Sequence, residues 1–180
     1  MTYFIGIDLG TTNSAISSYD GENVKVWKSS DGFDVTPSAI FVDKRGNKYV
    51  GSRAYQMTAS DPDNVAVRFK RMMGTSTMVS IPNLGKELTP EECSAEVLKT
   101  LFNYLPDEIR KDPDLATVIT VPAAFDQKAK DATLAAANMP RRSNSVGFSC
   151  RYEQAAPSHI LHRPVKGRFF FGFLSFRAVR

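Results

Sequence analysis

The segment Gly6–Ser14, which reads Gly-Ile-Asp-Leu-Gly-Thr-Thr-Asn-Ser, constrains the fold of this chain more than any other stretch. The apolar run 3–7 and the alternating run 14–19 have the length and composition of β-strands. Between them lies a predicted hairpin tip of small and polar residues, Gly10, Thr11, Thr12 and Asn13. Because Gly10 has no side chain, an anion can approach the main chain, and successive N–H groups in such a turn attract phosphate. The sequence therefore predicts a phosphate-binding loop, with an ordinary polar hairpin as the alternative.

Asp8 stands two residues before this predicted tip. A hydrated Mg²⁺ prefers one or two carboxylates together with phosphate oxygens, so Asp8 is a candidate magnesium residue acting through water. The segment has neither the G-x-G-x-x-G pattern of dinucleotide-binding folds nor the Gly-Lys-Ser/Thr of a Walker A loop. Those two nucleotide-binding classes are therefore excluded.

Charge is distributed unevenly along the 180 residues. Residues 1–139 contain 15 Lys and Arg and 18 Asp and Glu, a net charge of −3. Residues 140–180 contain 8 basic residues and 1 acidic residue, a net charge of +7. The overall charge of +4 therefore describes a mildly acidic body with a basic tail, rather than a uniformly basic nucleic-acid-binding protein.

The rest of the composition favours a cytoplasmic protein. The chain enters an apolar strand almost at once, with no pattern of a signal peptide, and no apolar run reaches the length of a membrane-spanning helix. Cys93 and Cys150 are too few for a disulfide framework or a zinc site. His159-x-x-His162 together with Cys150 would give a metal ion three ligands, but no fourth ligand is evident, and we interpret that spacing as chance.

The segment 65–74 carries apolar residues at helical spacing, which predicts a short amphipathic helix that stops at Gly74. One interpretation places Lys70 and Arg71 on its solvated face, which is the usual role of such a pair. Residues 75–88 have the composition of a loop.

Two further helices are predicted after residue 88. Thr89-Pro90-Glu91-Glu92 is a capping box that should start a helix running to about Leu105, with Cys93 buried in it. A buried strand from Thr117 is halted by Pro122, and Asp126 should cap the helix that follows.

The string 6–14 resembles the first phosphate loop of the seventy-kilodalton heat-shock chaperones of the DnaK type, which belong to the actin and sugar-kinase superfamily. The resemblance extends over about residues 3–139. It is carried further by Thr36–Val42, Val50–Ala54, Phe69-Lys70-Arg71 and Val121-Pro122-Ala123. It implies an α/β fold, namely the first lobe of an actin-like (ribonuclease H-like) ATPase with a mixed β-sheet and flanking helices. Residues 1–38 and 116–139 would form a base subdomain and residues 39–115 an upper one.

The same resemblance implies ATP hydrolysis coupled to the binding of unfolded polypeptides in protein folding and the stress response. ATP or ADP and Mg²⁺ would be the cofactors, and a J-domain co-chaperone and a nucleotide exchange factor the partners, with no membrane or nucleic acid. In the family, the residues matching the predicted tip hold the β- and γ-phosphates. Asp8 would act through Mg²⁺, and Lys70 would reach toward the γ-phosphate as the second catalytic residue. Because both residues match the family, this role is favoured for Lys70 over a place on a solvated face.

Two positions would belong to an allosteric relay toward a substrate-binding domain, Pro122 and Lys130. The family normally has an arginine where this chain has Lys130, and a lysine cannot make a bidentate guanidinium contact. Family members also continue with a Glu-Pro element, a second phosphate loop reading Asp-Leu-Gly-Gly-Gly-Thr and an adenosine pocket, which are not found after residue 139. We therefore expect little or no ATP turnover by this chain itself.

The tail 140–180 holds seven Arg, one Lys and six of the twelve Phe residues. Arginine interleaved with phenylalanine suits a nucleic-acid-binding arm, and the run 169–176 could lie on a membrane surface. Out-of-frame translation of a chaperone gene would also change the composition abruptly, and we favour that interpretation. For the chain as a whole, the alternatives are a sugar or small-molecule kinase of the same superfamily and a nucleic-acid-binding protein.

Overall fold

A mixed β-sheet is the centre of the computed structural model, which describes residues 3–112, 115–121, 125–138 and 149–154. Its strands are β1 (Phe4–Asp8), β2 (Asn13–Tyr19), β3 (Val24–Val26), β4 (Thr36–Pro37), β10 (Ala116–Val121) and β11 (Ser149–Gln154). The order is β11-β10-β1-β2-β3, with β4 paired to β2. Because β1 runs parallel to β10 and antiparallel to β2, the sheet is mixed.

Two smaller sheets and four helices complete the described structure. The small sheets contain β5 (Ala39–Val42), β6 (Lys48–Val50) and β7 (Val65–Val67), and the hairpin of β8 (Val79–Ile81) and β9 (Lys86–Leu88). The helices are α1 (Ser52–Gln56), α2 (Pro90–Phe102), α3 (Asp107–Arg110) and α4 (Gln127–Asn138). Short 3₁₀ turns span Pro62–Asn64, Phe69–Met72 and Pro82–Leu84. The predicted α/β class, with a mixed sheet and flanking helices, is confirmed.

The predicted N-terminal hairpin is present, and Asn13 is already the first residue of β2. Ile5 and Ile7 on β1 and Ile16 on β2 are buried, while their neighbours along each strand are more exposed. Alternate side chains of a strand point to opposite faces, so one face of the hairpin enters the core and the other remains open.

The predicted helix over 65–74 is wrong. Val65–Val67 is strand β7, which pairs antiparallel with β5, and only Phe69–Met72 forms a helical turn. Arg68 separates the two with a left-handed φ of 58°. Valine favours strands, and the tertiary pairing with β5 prevails over an apolar spacing that is short enough to fit either structure.

The structure differs from the predictions in three other places. Residues 75–88 contain the β8–β9 hairpin rather than a loop, and α2 ends at Phe102, although Leu105 is still buried. Strand β11 lies beyond residue 139 and pairs in parallel with β10, which extends the central sheet into the predicted tail. The other residues of that tail, 140–148 and 155–180, lie outside the described ranges.

Helix α2 packs against α4 on the buried side of the central sheet. Its predicted capping box is confirmed, since the Thr89 side chain accepts from the Glu92 N–H at 3.1 Å and the Glu92 carboxylate accepts from the Thr89 N–H at 2.8 Å. Cys93 is buried as predicted. Among the described residues, no helix has the length and apolarity needed to cross a membrane.

The capping box gives a stability prediction. Replacing Thr89 with alanine removes the cap of α2 and should lower the free energy of unfolding by about 1 kcal/mol, measured by urea denaturation. Thr100→Ala in the same helix is the matched control. The Thr100 hydroxyl only donates back to the Glu96 carbonyl at 3.0 Å, so its loss should change stability by no more than a few tenths of a kcal/mol. Equal losses in the two variants would contradict the capping argument.

Candidate phosphate-binding site

The bend between β1 and β2 requires glycine at position 10. A Cβ atom added to Gly10 would lie 1.9 Å from the carbonyl oxygen of Asn13, far inside any real contact distance. The bend is therefore tighter than any other residue at this position would allow. Its outer side is open to solvent, since Thr12 and Asn13 are exposed and Thr11 is half-buried.

Two buried serines fix this bend from below. The Gly10 N–H donates to Ser14 Oγ at 3.1 Å, and Ser38 Oγ donates to the Gly10 carbonyl at 2.8 Å. The two hydroxyls lie 2.9 Å apart, and the Ser38 N–H donates to the Thr12 carbonyl at 2.8 Å. The N–H group of Gly10 therefore already donates within the loop, so Gly10 contributes to the shape of the bend and not a donor to a ligand. Donors for a ligand must come from the exposed residues that follow it.

Asp8 ends β1 beside this bend and is exposed to solvent. The Thr120 hydroxyl donates to Asp8 Oδ1 at 2.7 Å, because Thr120 on β10 is the register partner of Asp8 in the parallel pair. This bond fixes the orientation of the carboxylate at the end of β1. The sequence analysis missed Thr120, although a hydroxyl residue two positions before Pro122 at the end of a predicted buried strand was a usable signal.

Lys70 is buried, with only 3% of its surface exposed, so the alternative that places it on a solvated face is wrong. Arg71 beside it is exposed as predicted. Burial lowers the pKa of Lys70 to about 8, and the opposing attraction of Asp8 offsets part of that effect. The Nζ atom lies 5.5 Å from the centroid of the Phe125 ring. The fold therefore brings an ammonium group into the electrostatic range of the Asp8 carboxylate.

The turn that carries Lys70 is anchored in the core. Phe69 is 1% exposed and follows the left-handed Arg68, which turns the chain out of β7. A non-glycine residue at positive φ is uncommon and costs free energy, so the surrounding packing must hold it there. The sequence alone did not indicate that Arg68 and Phe69 anchor the turn that carries Lys70.

The two predicted relay positions have different outcomes. Pro122 lies outside the described residues. Lys130 is half-buried on α4, whose first turn is capped by Asp126 through a 2.8 Å bond from the Ala129 N–H to Oδ1. The predicted cap is confirmed, and the relay role of Lys130 stays a prediction.

The donor set suits a hydrated divalent cation with a polyphosphate. In the part of the chain that the structure describes, no group of three or more His, Cys, Asp or Glu side chains could enclose a metal ion. A single oriented carboxylate is nevertheless what Mg²⁺ uses when it keeps its waters and takes its remaining ligands from phosphate. The exposed Asp8, the open polar bend and the buried ammonium group therefore fit Mg²⁺ held largely by its substrate.

The family model described as "Hsp70 protein" matches residues 4–81 and 75–140 of this chain. "Chaperone protein DnaK" of Mycoplasmoides gallisepticum is 43% identical over 131 residues, which are 72% of this chain and 22% of that protein. The proteins of the same name from Mycoplasmopsis synoviae and Mycoplasmopsis agalactiae are 40% and 43% identical over 129 residues, again 72% of this chain and 21% of each relative. The chain thus spans about a fifth of the length of these relatives.

The serine pair gives a prediction about the bend. Ser38→Ala removes the donor to the Gly10 carbonyl and the partner of Ser14, and should lower the free energy of unfolding by about 1 to 3 kcal/mol. Ser80→Ala, at an exposed site on β8, should change it by less than about 0.5 kcal/mol. Urea denaturation of both variants measures the difference, and similar unfolding midpoints would show that the serines do not support the bend.

Lys70 gives a pH-dependent prediction. Its folded pKa of about 8 lies below the ordinary lysine pKa of 10.5, so the unfolded chain binds more protons between those two pH values, and the stability contribution of this group rises with pH across that window. At pH 7 the buried charge is a cost, and Lys70→Met should raise the free energy of unfolding by on the order of 2 kcal/mol. That gain should shrink above pH 8 and disappear above about pH 10.5.

Lys44→Met is the control for this measurement, because Lys44 lies in an exposed turn. It should change the free energy of unfolding little at any pH. A Lys70→Met variant that is less stable than the wild type at pH 7 would show that the buried ammonium group stabilises the fold instead.

Proposed function

The chain belongs to the Hsp70 family, whose ATPase domain is actin-like, and on that premise we propose that it supplies one side of a Mg-ATP site, the side that grips the terminal phosphates. The observation that carries the proposal is the convergence of three features at one edge of the sheet. These are the open bend after Gly10, the Asp8 carboxylate oriented by Thr120, and the ammonium group of Lys70. Few structural needs explain a buried lysine within electrostatic range of the carboxylate beside this bend.

The exposed residues of the bend would bind the β- and γ-phosphates. Thr11, Thr12 and Asn13 offer hydroxyl, amide and main-chain donors, while Gly10 allows the tight bend that carries them. Because Ser14 and Ser38 already hold the bend in place, little conformational entropy is lost when a ligand binds.

Asp8 and Lys70 would take the two charged roles. Mg²⁺, when bound, neutralises phosphate charge and orders the waters around it. Asp8 would accept hydrogen bonds from those waters, with its carboxylate held by Thr120. Lys70 would approach from the opposite side and stabilise charge on the transferring phosphoryl group, since a compact ammonium on a flexible stem can follow that group. A bound phosphate would also raise the pKa of Lys70, which keeps the amine charged at neutral pH.

We extend the proposal to a full-length member of this family. Its activity would be the ATP-dependent binding and release of unfolded polypeptides in the cytoplasm, with a J-domain co-chaperone and a nucleotide exchange factor as partners. Pro122 and Lys130 would relay the nucleotide state. Because phosphoryl transfer needs charge stabilisation and positioning from all sides, this chain alone should turn over little ATP.

The proposed domain organisation follows the strands. Residues 1–38 and 116–139 would form the base that carries Asp8 and the bend, and residues 39–115 the upper subdomain that carries Lys70. The family match ends at residue 140, and we propose that residues 140–180 depart from the family, with a change of reading frame as the simplest cause.

Calorimetry tests the proposal on the 180-residue chain. With Mg²⁺ present, the chain should bind ATP and inorganic tripolyphosphate with similar affinity, because the described contacts all concern phosphate. Asp8→Asn should weaken both by roughly tenfold or more, a loss of about 1.4 kcal/mol. Asp31→Asn, an exposed loop carboxylate with the same change of charge, should leave both unchanged. Binding that does not depend on Mg²⁺, or that Asp8→Asn leaves intact, would contradict the proposed site.

A further inference from the structure

Gly74 ends the turn that carries Lys70 and lies directly against the first turn of α4. A Cβ atom on Gly74 would lie 2.8 Å from the backbone nitrogen of Ala129 and 2.9 Å from the carbonyl carbon of Lys128. Both contacts are with backbone atoms, which cannot rotate away as a side chain could. Position 74 therefore needs glycine for space as well as for its φ of 74°.

The same two segments meet a second time, four residues earlier on each. Lys70 Nζ lies 5.5 Å from the centroid of the Phe125 ring, and Gly74 touches Ala129. Residues 70–74 thus run alongside residues 125–129. The two contacts fix the distance and the orientation of the Lys70 turn relative to α4.

The first turn of α2 holds Gly74 from another direction. The Gly74 N–H donates to Glu91 Oε1 at 3.2 Å, and the buried Met73 beside it receives the Ser94 hydroxyl at its sulfur at 3.4 Å. The end of the Lys70 turn is therefore wedged between the N-terminal turns of two helices that pack against each other. A segment packed in this way moves when either helix is displaced, because close-packed backbone does not compress.

We infer that Gly74 is a positioning residue for Lys70, setting the reach of the ammonium group by locking its turn against the first turn of α4. This inference rests on the proposed function for the role of Lys70, but the contact itself does not. A shift of the first turn of α4 would therefore move the turn that carries the amine.

The chain offers a matched control for this inference. Gly85 in the β8–β9 turn has a φ of 70°, almost the same as Gly74, but a Cβ atom there would meet nothing within 4 Å. Alanine at either position suffers the same backbone strain. Only alanine at position 74 also collides with α4.

Competitive acetylation measures how accessible the amine is once it has lost its proton. The folded 180-residue chain is treated with trace acetic anhydride at a series of pH values, and mass spectrometry gives the plateau acetylation rate of the uncharged Lys70 amine relative to that of the exposed Lys44. Gly74→Ala should raise the relative rate at Lys70 roughly tenfold, as overpacking against a rigid partner opens the closed arrangement. Gly85→Ala should leave it near the wild-type value. Equal rates in the two variants would overturn the inference.

Glu91→Ala keeps the test decisive if Gly74→Ala does not fold. It removes the acceptor of the Gly74 N–H without introducing a collision, and it should raise the relative rate at Lys70 by a smaller factor in the same direction. Glu108→Ala, at an exposed acid in the first turn of α3, is its control. An unchanged rate at Lys70 in Glu91→Ala would overturn the inference.

Mg-ATP separates this inference from the proposed function. If Lys70 faces bound phosphate, Mg-ATP should protect it from acetylation in the wild type, and failure of that protection would count against the proposed function alone. The comparison of Gly74→Ala with Gly85→Ala is made without nucleotide, so its failure would count against the positioning role alone.

Discussion

The described structure depends on burying an ammonium group within electrostatic range of a carboxylate at the end of a strand. Lys70 loses most of its hydration, and the Asp8 carboxylate returns only part of that free energy, which is why the pKa of the lysine lies near 8. A fold selected for stability alone would place an apolar side chain here. Natural proteins keep such a cost mainly where a function needs it.

The parallel pairing of β1 with β10 decides which groups meet at this site. Parallel strands end at the same edge of a sheet, so the register that places Asp8 opposite Thr120 also delivers the segment after β10 to the same edge. Phe125 and the first turn of α4 then lie beside Lys70 and Gly74. One register between two strands thus assembles the carboxylate, its hydroxyl partner and the support of the lysine.

The sequence predicted an element correctly where the interaction that stabilises it is itself local. The hairpin, the capping box of α2 and the Asp126 cap of α4 each depend on residues within a few positions of one another. The prediction of a helix over 65–74 was wrong because strand β7 in this segment is stabilised by pairing with β5, which lies more than twenty residues earlier in the chain. The alternative of a solvated face for Lys70 is wrong for the same reason, since the groups that bury it come from distant parts of the chain.

The candidate site divides in the same way. The sequence by itself determined the bend at Gly10 and its polar residues, because a tight turn followed by small donors is a local property. It also pointed to Asp8 and Lys70, through resemblance to a family. Only the tertiary structure decided that Thr120 orients Asp8, that Ser14 and Ser38 hold the bend, and that Gly74 sets the Lys70 turn against α4. Each of these contacts joins separate elements, and sheet register and close packing, which no local pattern encodes, determine which side chains meet.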